Sequence, residues 1–412
     1  MFRREPPIVL DLAWTDLVAA LLGCLPSLPP ADPAATQGCG PGERALTCLC
    51  VRSAFDLLMR ALALPAGSEI LVTAITHPDM MSILRHHYLI PVPVDVEPET
   101  LAPLPDALER ALSSRSKALL LTHLFGGRLE LDFASDFCRR HGLLLLEDCA
   151  QAYRDREYRG DSRALASMFS FGPLKTSTAL GGALVWVRGD EVHRRMADLL
   201  EADPACSNRE YAGRVLKYGL LHFGLQPVPY SSAVALLERR GTPSIEMTRR
   251  WMHSFPGDFD VRPLRRRPSP ALLRMLARRL RRHDVSRVQS RRLSGELSLA
   301  QMPSVQVPGC AAQDQSWWIF PVLVEDPVTA MAELRKSGFE AVPGLSNLIV
   351  LDPPDGRCEL APHEARRIVR HSMLIPVRVR LNPAARLRLS QVVGRHALPV
   401  ASPLSPRCHS RS

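Results

Sequence analysis

The sequence predicts an α/β protein, with a mainly parallel sheet covered by helices on both faces and a smaller α+β domain after it. Three observations carry this. From residue 44 to about 190, short apolar runs of strand length alternate with stretches of helical period. Two of the runs, Ala118 to Leu124 and Gly142 to Leu146, are almost unbroken apolar sequence, as strands buried on both faces are. Gly- and Pro-bearing turns punctuate the alternation.

Residues 1–40 are Pro- and Ala-rich with a short apolar run from Leu17 to Leu25, and read as an N-terminal arm and loop. Ser53 to Leu64 has helical period and stops at Pro65-Ala66-Gly67. Glu69 to Ala74 is a short strand, Asp79 to His87 a helix, Pro91 to Val96 extended, and Pro105 to Leu112 a helix. The Ala118 to Leu124 strand ends at Gly126-Gly127, Asp132 to His141 is a helix, and Gly142 to Leu146 is a buried strand. Gly181 to Val187 is a further strand. Residues 190–260 show no clear period. Ser269 to Arg282 is a strong helix, Ser316 to Val324 is extended, and Thr329 to Ser337 and Pro362 to His371 are helical. The domains expected are an arm (1–40), a large domain (41–290) with an insertion at about 195–260, a small domain (291–398) and a disordered tail (399–412).

The composition is that of a globular enzyme, 46% hydrophobic and 23% charged, and long enough for a large core. No run reaches the ~18 apolar residues that span a bilayer, and the N-terminus does not read as a signal peptide. Cytoplasmic location and no membrane contact are the expectations. The net charge of +10 raises nucleic acid as a partner. Only four lysines occur (Lys117, Lys175, Lys217 and Lys336), and no nucleic-acid motif accompanies the arginines. The clusters Arg262/Arg265–Arg267 and Arg278–Arg282 read as solvated faces, and no nucleic-acid partner is expected. The ten cysteines lack paired spacing, so no metal site or disulfide framework is expected. Cys48 and Cys50 would share one face of a strand.

Two segments carry chemistry. In Leu143 to Gln151 an apolar strand ends in Glu147-Asp148, and ligands of open α/β sheets bind at such carboxyl ends. Twenty-seven residues on, Lys175 follows Phe169-Ser170-Phe171-Gly172-Pro173-Leu174, an apolar turn in which an amine loses basicity and gains nucleophilicity. A carboxylate and such a lysine are what pyridoxal 5′-phosphate requires: one holds the pyridine nitrogen protonated, the other binds the aldehyde.

These segments resemble the DegT/DnrJ/EryC1/StrS family of fold-type-I pyridoxal-phosphate enzymes, the sugar aminotransferases. The family's Glu-Asp-x-Ala-Gln and Phe-Ser-Phe-x-x-x-Lys patterns are matched by Glu147 to Gln151 and Phe169 to Lys175. His123-Leu124-Phe125-Gly126, Pro65 to Ile70 and Val94 to Leu101 also resemble family segments. Residues 44–190 are covered nearly continuously, the C-terminal part more loosely. The resemblance implies a three-layer α/β/α large domain, a homodimer, and transamination between an amino-acid donor and a keto acceptor such as a nucleotide-linked keto-sugar. It implies Lys175 as the Schiff-base lysine, Asp148 as the pyridinium partner and Gln151 near the ring hydroxyl. Ser170 and Ser53 would hold the phosphate at a helix N-terminus, and His77 would stack on the ring. His123 reads as structural. Other pyridoxal-phosphate chemistry, such as dehydration, and a degenerate non-catalytic protein are the rival readings.

The chain departs from the family in three places. The family's Gly-Thr before the first large helix is Val51-Arg52, so Arg52 would bind phosphate through a charged fork. The partner-supplied Asn has no counterpart in Leu264 to Pro268, which leaves Arg265 to Arg267 as the alternative phosphate contact. About ninety residues separate Lys175 from that stretch, roughly twice the expected interval. The extra piece reads as a buried dimer element in preference to a lid, an apolar acceptor pocket or a membrane-touching segment.

Overall fold

In the computed structural model, residues 9–26, 28, 45–239, 259–344, 348–376 and 381–399 are described. The proposed tail lies outside them apart from residue 399, as does much of the arm and the second part of the insertion.

Helix α1 (Trp14–Leu22) opens the described chain, where the sequence suggested only an arm and loop. Then follow β1 (Ala45–Cys48), α2 (Val51–Leu62), β2 (Glu69–Thr73), β3 (Ile75–Thr76), α3 (Pro78–His86) and β4 (Ile90–Val94). Next come α4 (Pro105–Ala111), β5 (Ser116–Thr122), α5 (Asp132–His141), β6 (Leu144–Asp148), β7 (Ala166–Ser170) and β8 (Ala183–Val187). Helices α6 (Asp190–Ala202), α7 (Asn208–Gly224), α8 (Pro227–Arg239), α9 (Pro270–Arg281) and α10 (Val285–Ala300) fill the middle. The last part has β9 (Phe320–Leu323), α11 (Pro327–Lys336), β10 (Val342–Pro343), β11 (Ile349–Val350), α12 (His363–His371), β12 (Ser372–Ile375) and α13 (Pro383–Arg395).

Seven strands form the main sheet in the order β1-β8-β7-β6-β5-β2-β4. The pairs from β7 through β6, β5 and β2 to β4 are parallel, and β8 runs antiparallel to both its neighbours. Alternate residues of each strand serve opposite faces. Ile70, Val72, Leu120 and Leu146 pack under α2, α3 and α6. Leu71, Leu119, Leu121 and Leu145 pack under α4, α5 and α12. Farther along that second face, Leu184 and Trp186 meet α1, α7 and α9. The three-layer expectation is therefore met. A second core, around Trp317, Val322, Leu334, Met373 and Val393, belongs to the three-stranded antiparallel sheet β10-β12-β9 and its helices α11 and α13. Helix α10 runs unbroken across residue 290, the boundary expected between the two domains.

Local sequence explains the ends of elements. Gly142 ends α5 at φ 64°, the left-handed turn that glycine enters without strain. Gly126, at φ 93°, lets the turn after β5 touch the small domain: a side chain there would lie 2.8 Å from the Trp318 amide nitrogen. Two expectations need correction. β1 ends at Cys48, and Cys50 is the N-cap of α2, its sulfur accepting the Ser53 N–H, so the two cysteines do not share a strand face. Nor is the α9 arginine run a wholly solvated face, because Arg279 is buried and Arg278 and Arg279 both bind Asp16 of α1.

Candidate active site

β6, β7 and the turn after it set the site. Strand alternation sends the two acids at the end of β6 to opposite sides. Glu147 is fully buried and accepts hydrogen bonds from Ser167, the Asp161 N–H and His123. His123 Nδ1 accepts the Leu129 N–H at 3.0 Å, so its Nε2–H donates to Glu147 at 3.0 Å. These bonds hold the Glu147 carboxyl below its ordinary pKa even though burial opposes ionisation. The ligand-type atoms of His123, Glu147 and Cys149 lie within 4.8 Å of one another. With the carboxylate already satisfied, this is a hydrogen-bond network bracing the sheet.

Asp148 instead lines a cavity of about 1880 Å³ between the large and small domains. Its Oδ1 accepts the Ala150 N–H at 2.9 Å, and Oδ2 has no hydrogen bond among the described residues. Burial raises its pKa, partly offset by the Lys175 charge. Lys175 lines the same cavity, its N–H closing the Gly172 turn at 3.0 Å. Desolvation drives its amine down to about 8, against a smaller opposing pull from Asp148. The amine lies 4.4 Å from the centroid of the Trp318 ring, whose indole N–H donates to the Leu174 carbonyl at 3.0 Å.

Ser170, Gln151, His77 and Arg52 line this cavity with Lys175 and Asp148, so six of the seven residues singled out in the sequence meet in one place. Ser170 Oγ accepts the Gly172 N–H at 3.4 Å, and Gln151 Oε1 accepts the Phe125 N–H at 2.8 Å. His77 is the N-cap of α3, with Nδ1 accepting the Asp79 N–H at 3.2 Å. Burial lowers its pKa to about 4, so the ring is neutral at neutral pH. Arg52 opens on the cavity but already binds Asp79 through Nη1. Ser53 does not line the cavity; it is buried at the third position of α2, its hydroxyl 3.3 Å from Cys50 Sγ. The alternative phosphate contact is also engaged elsewhere. Arg265 forks onto Asp56, Arg266 onto Glu210, and Arg267 reaches the Asp203 carbonyl.

Other cavity residues were not legible in the sequence. Asp11 accepts the Ser177 N–H at 2.6 Å and so pins the loop that follows Lys175. Ser177 and Leu180 in that loop have φ of 56° and 60°, left-handed conformations that non-glycine residues hold only under tertiary restraint. Part of the insertion is also here: Arg214, Lys217, Tyr218 and Leu221 of α7 line the cavity, while Leu216, Leu220 and Phe223 of the same helix expose much of their surface. No helix among the described residues is long and apolar enough to cross a membrane.

Residues 41–219 match the sequence profile of the DegT/DnrJ/EryC1/StrS aminotransferase family. This segment is similar to that family, and it makes up less than half of the chain. Among its relatives, the L-glutamine:2-deoxy-scyllo-inosose aminotransferase of Streptomyces paromomycinus is 38% identical over 153 residues, 36% of each chain. The L-glutamine:scyllo-inosose aminotransferase of Streptomyces griseus is 34% identical over 161 residues, 38% of this chain and 37% of that one. The match thus spans little more than a third of these curated relatives. Solved structures extend the likeness in fold to nearly the whole chain. The aminotransferase TlmJ of Streptoalloteichus hindustanus superposes with TM-score 0.66 at 17% identity, covering 95% of this chain and 98% of its own. DesV of S. venezuelae gives 0.64 at 21% identity, covering 96% and 98%. The likeness in fold to these solved structures thus runs through the small domain as well.

Proposed function

We propose that the chain is a pyridoxal-phosphate-dependent aminotransferase, moving an amino group from an amino-acid donor to a cyclic keto acceptor. The observation that carries this is the pairing of Lys175, an amine held near pKa 8, with Asp148 at the end of β6 in one cavity. The relatives named as L-glutamine:inosose aminotransferases support an amide amino acid as donor and a polyhydroxylated ring ketone as acceptor. The homodimer implied by the resemblance is part of the proposal.

The residues present fit the cofactor. Asp148 is a buried carboxylate with an unused oxygen, and a cation beside it would offset the desolvation that raises its pKa. Gly172 leaves open the space that a side chain would take between Ser170 Oγ (3.5 Å) and Lys175 Cγ (3.9 Å). Asp148 would hold the pyridine nitrogen, Lys175 the aldehyde, and Ser170, Arg52 and the first turn of α2 the phosphate. When bound, the cofactor supplies an electron sink that stabilises negative charge at the donor's α-carbon.

The chain's own part is proton handling and exclusion of water. Below about pH 8 the Lys175 amine is charged; above it the free base can accept a proton and return it. Trp318 covers this amine on the small-domain side, and Gln151 and His77 bound the space beside it. Neutral His77 adds no positive charge next to Lys175, which would lower the lysine pKa further.

The test is spectroscopic. Purified protein loaded with pyridoxal phosphate should show the visible band of the lysine-bound cofactor. L-glutamine or L-glutamate should bleach that band, and a keto acceptor should restore it. A band that no amino acid bleaches would favour the non-transaminating rivals.

A further inference from the structure

Several cavity arginines have carboxylate partners within the chain: Arg52 binds Asp79, Arg279 binds Asp16, and Arg287 binds Asp11. Arg291 of α10 differs from these three. It also differs from Arg214 and Arg282, which lack a carboxylate partner among the described residues too, in being anchored beside Lys175. It lines the same cavity, and no carboxylate lies within ion-pair distance of it among the described residues. Its two hydrogen bonds go to neutral acceptors, from Nε to the Ser316 carbonyl at 3.0 Å and from Nη2 to Thr176 Oγ1 at 3.2 Å. Nη1 has no partner among the described residues. Burial pushes the pKa of this guanidinium down, opposed only by the more distant charge of Asp11. Asp11 is itself shared by Arg287 and the Ser177 N–H. Withdrawing a cation from water without a counter-ion costs stability, and a ligand that brings the anion offsets the cost.

The two anchors of Arg291 matter more than its charge. Thr176 directly follows Lys175, and Ser316 lies two residues before Trp318, whose ring covers the Lys175 amine. The open edge of the guanidinium is thereby fixed relative to that amine. The cavity cation read as a phosphate contact, Arg52, belongs to a different element, the first turn of α2. Arg287, one turn earlier on α10, also lines the cavity but already pairs with Asp11 and Asp284, so the open charge here is the single one of Arg291, which suits a monoanion.

We propose that Arg291 receives the α-carboxylate of the amino-acid donor, an assignment that rests on the aminotransferase reading above. A guanidinium edge matches one carboxylate through two parallel hydrogen bonds. A donor held there would present its amino group toward the Lys175 side of the cavity. Arg291 is then the residue that selects amino acids over simple amines.

The test uses the cofactor-loaded protein and two readouts. Calorimetry measures binding of glutarate, a dicarboxylate with no amino group, and separately of inorganic phosphate. Arg291→Gln should weaken glutarate at least ~tenfold, about 1.4 kcal/mol, with phosphate binding unchanged; Arg291→Lys should recover part of the loss. Bleaching of the visible band is then compared for L-glutamine and for its decarboxylated amine. Wild type should favour the amino acid, and Arg291→Gln should lose that preference by slowing the amino acid alone. Unchanged glutarate affinity would overturn the assignment, as would a loss that follows phosphate. Equal slowing of amino acid and amine would also overturn it, making Arg291 only a staple between Thr176 and Ser316. If wild type turned over no amino acid while glutarate binding still depended on Arg291, the carboxylate site would stand and the aminotransferase reading would fail.

Discussion

The Lys175 amine sits 4.4 Å from the centre of the Trp318 ring, a contact between the large and small domains across the cavity. The ring acts on the amine in two opposed ways. Its face attracts the ammonium by about 0.5–2 kcal/mol, and its bulk keeps water away, which favours the neutral form. Desolvation is the larger effect, since the amine is held at about 8, below its ordinary 10.5. Trp318→Ala should therefore raise the midpoint for acylation of Lys175 in the cofactor-free protein back toward 10.5, and Trp318→Phe should leave it near 8. An unchanged midpoint in the alanine variant would mean that other walls dry the site.

Arg52 shares its charge between Asp79 and the cavity. If it holds the cofactor phosphate, Arg52→Ala and Arg52→Thr should weaken pyridoxal phosphate at least ~tenfold, about 1.4 kcal/mol. Asp79→Asn should not weaken it, because the guanidinium is then released toward the phosphate. Titration of the cofactor-free variants decides this. An unchanged dissociation constant for Arg52→Ala would place the phosphate on Ser170 and the α2 backbone instead.

His77 is both a helix cap and a cavity wall, and two substitutions separate the roles. Asn keeps a capping acceptor and removes the ring; Phe keeps a ring and removes the cap. If the imidazole stacks on the cofactor, His77→Asn should lose cofactor affinity and keep stability. His77→Phe should keep affinity and lose about 0.5–2 kcal/mol of stability. Thermal melts and cofactor titration give both values, and the reverse pattern would reduce His77 to a cap.

Much of the large domain was legible because its strands are buried on both faces and its helices carry apolar stripes. Lys175, Asp148, Gln151 and Ser170 were legible for a related reason: they lie at or just beyond the ends of successive strands, where the chain must turn over the cavity. β7 escaped notice because Ser167 and Ser170 interrupt its apolar run, although Ser167 is buried against Glu147. α7 and α8 were obscured by Gly219, Gly224, Pro227 and Pro229 and by a weak stripe. Ser53 was assigned by motif position, but its place in the first turn of α2 sends the hydroxyl to Cys50. Asp11, Arg291 and Trp318 reach the site from distant parts of the chain, and only the packing of α1, α10 and the small domain brings them there.

The arginine stretch before α9 is structural. Arg265 forks onto Asp56 at 2.9 and 3.1 Å, and Asp56 is 1% exposed with His87 as its other partner. These partners hold the Asp56 pKa below its ordinary 3.8 despite burial. A carboxylate depressed in the folded state contributes stability above its unfolded pKa, and that stability is lost as pH falls through the folded value. Arg265→Ala should thus cost about 3 kcal/mol near neutral pH, with the gap from wild type narrowing below pH ~4. A denaturant series across pH checks this. A cofactor affinity that fell tenfold in the same variant would show that Arg265 also serves the phosphate.

The central claim is that Lys175, and no other lysine, carries the cofactor. Lys117, Lys217 and Lys336 are exposed; Lys217 also borders the cavity, but Lys175 is the lysine whose amine is withdrawn from water beside Asp148. Borohydride reduction of the cofactor-loaded protein, followed by proteolysis and mass mapping, reads this directly. The account predicts a single reduced pyridoxyl adduct on the peptide holding Lys175, absent from Lys175→Ala. An adduct on Lys117, Lys217 or Lys336, or one that persists in Lys175→Ala, would contradict it.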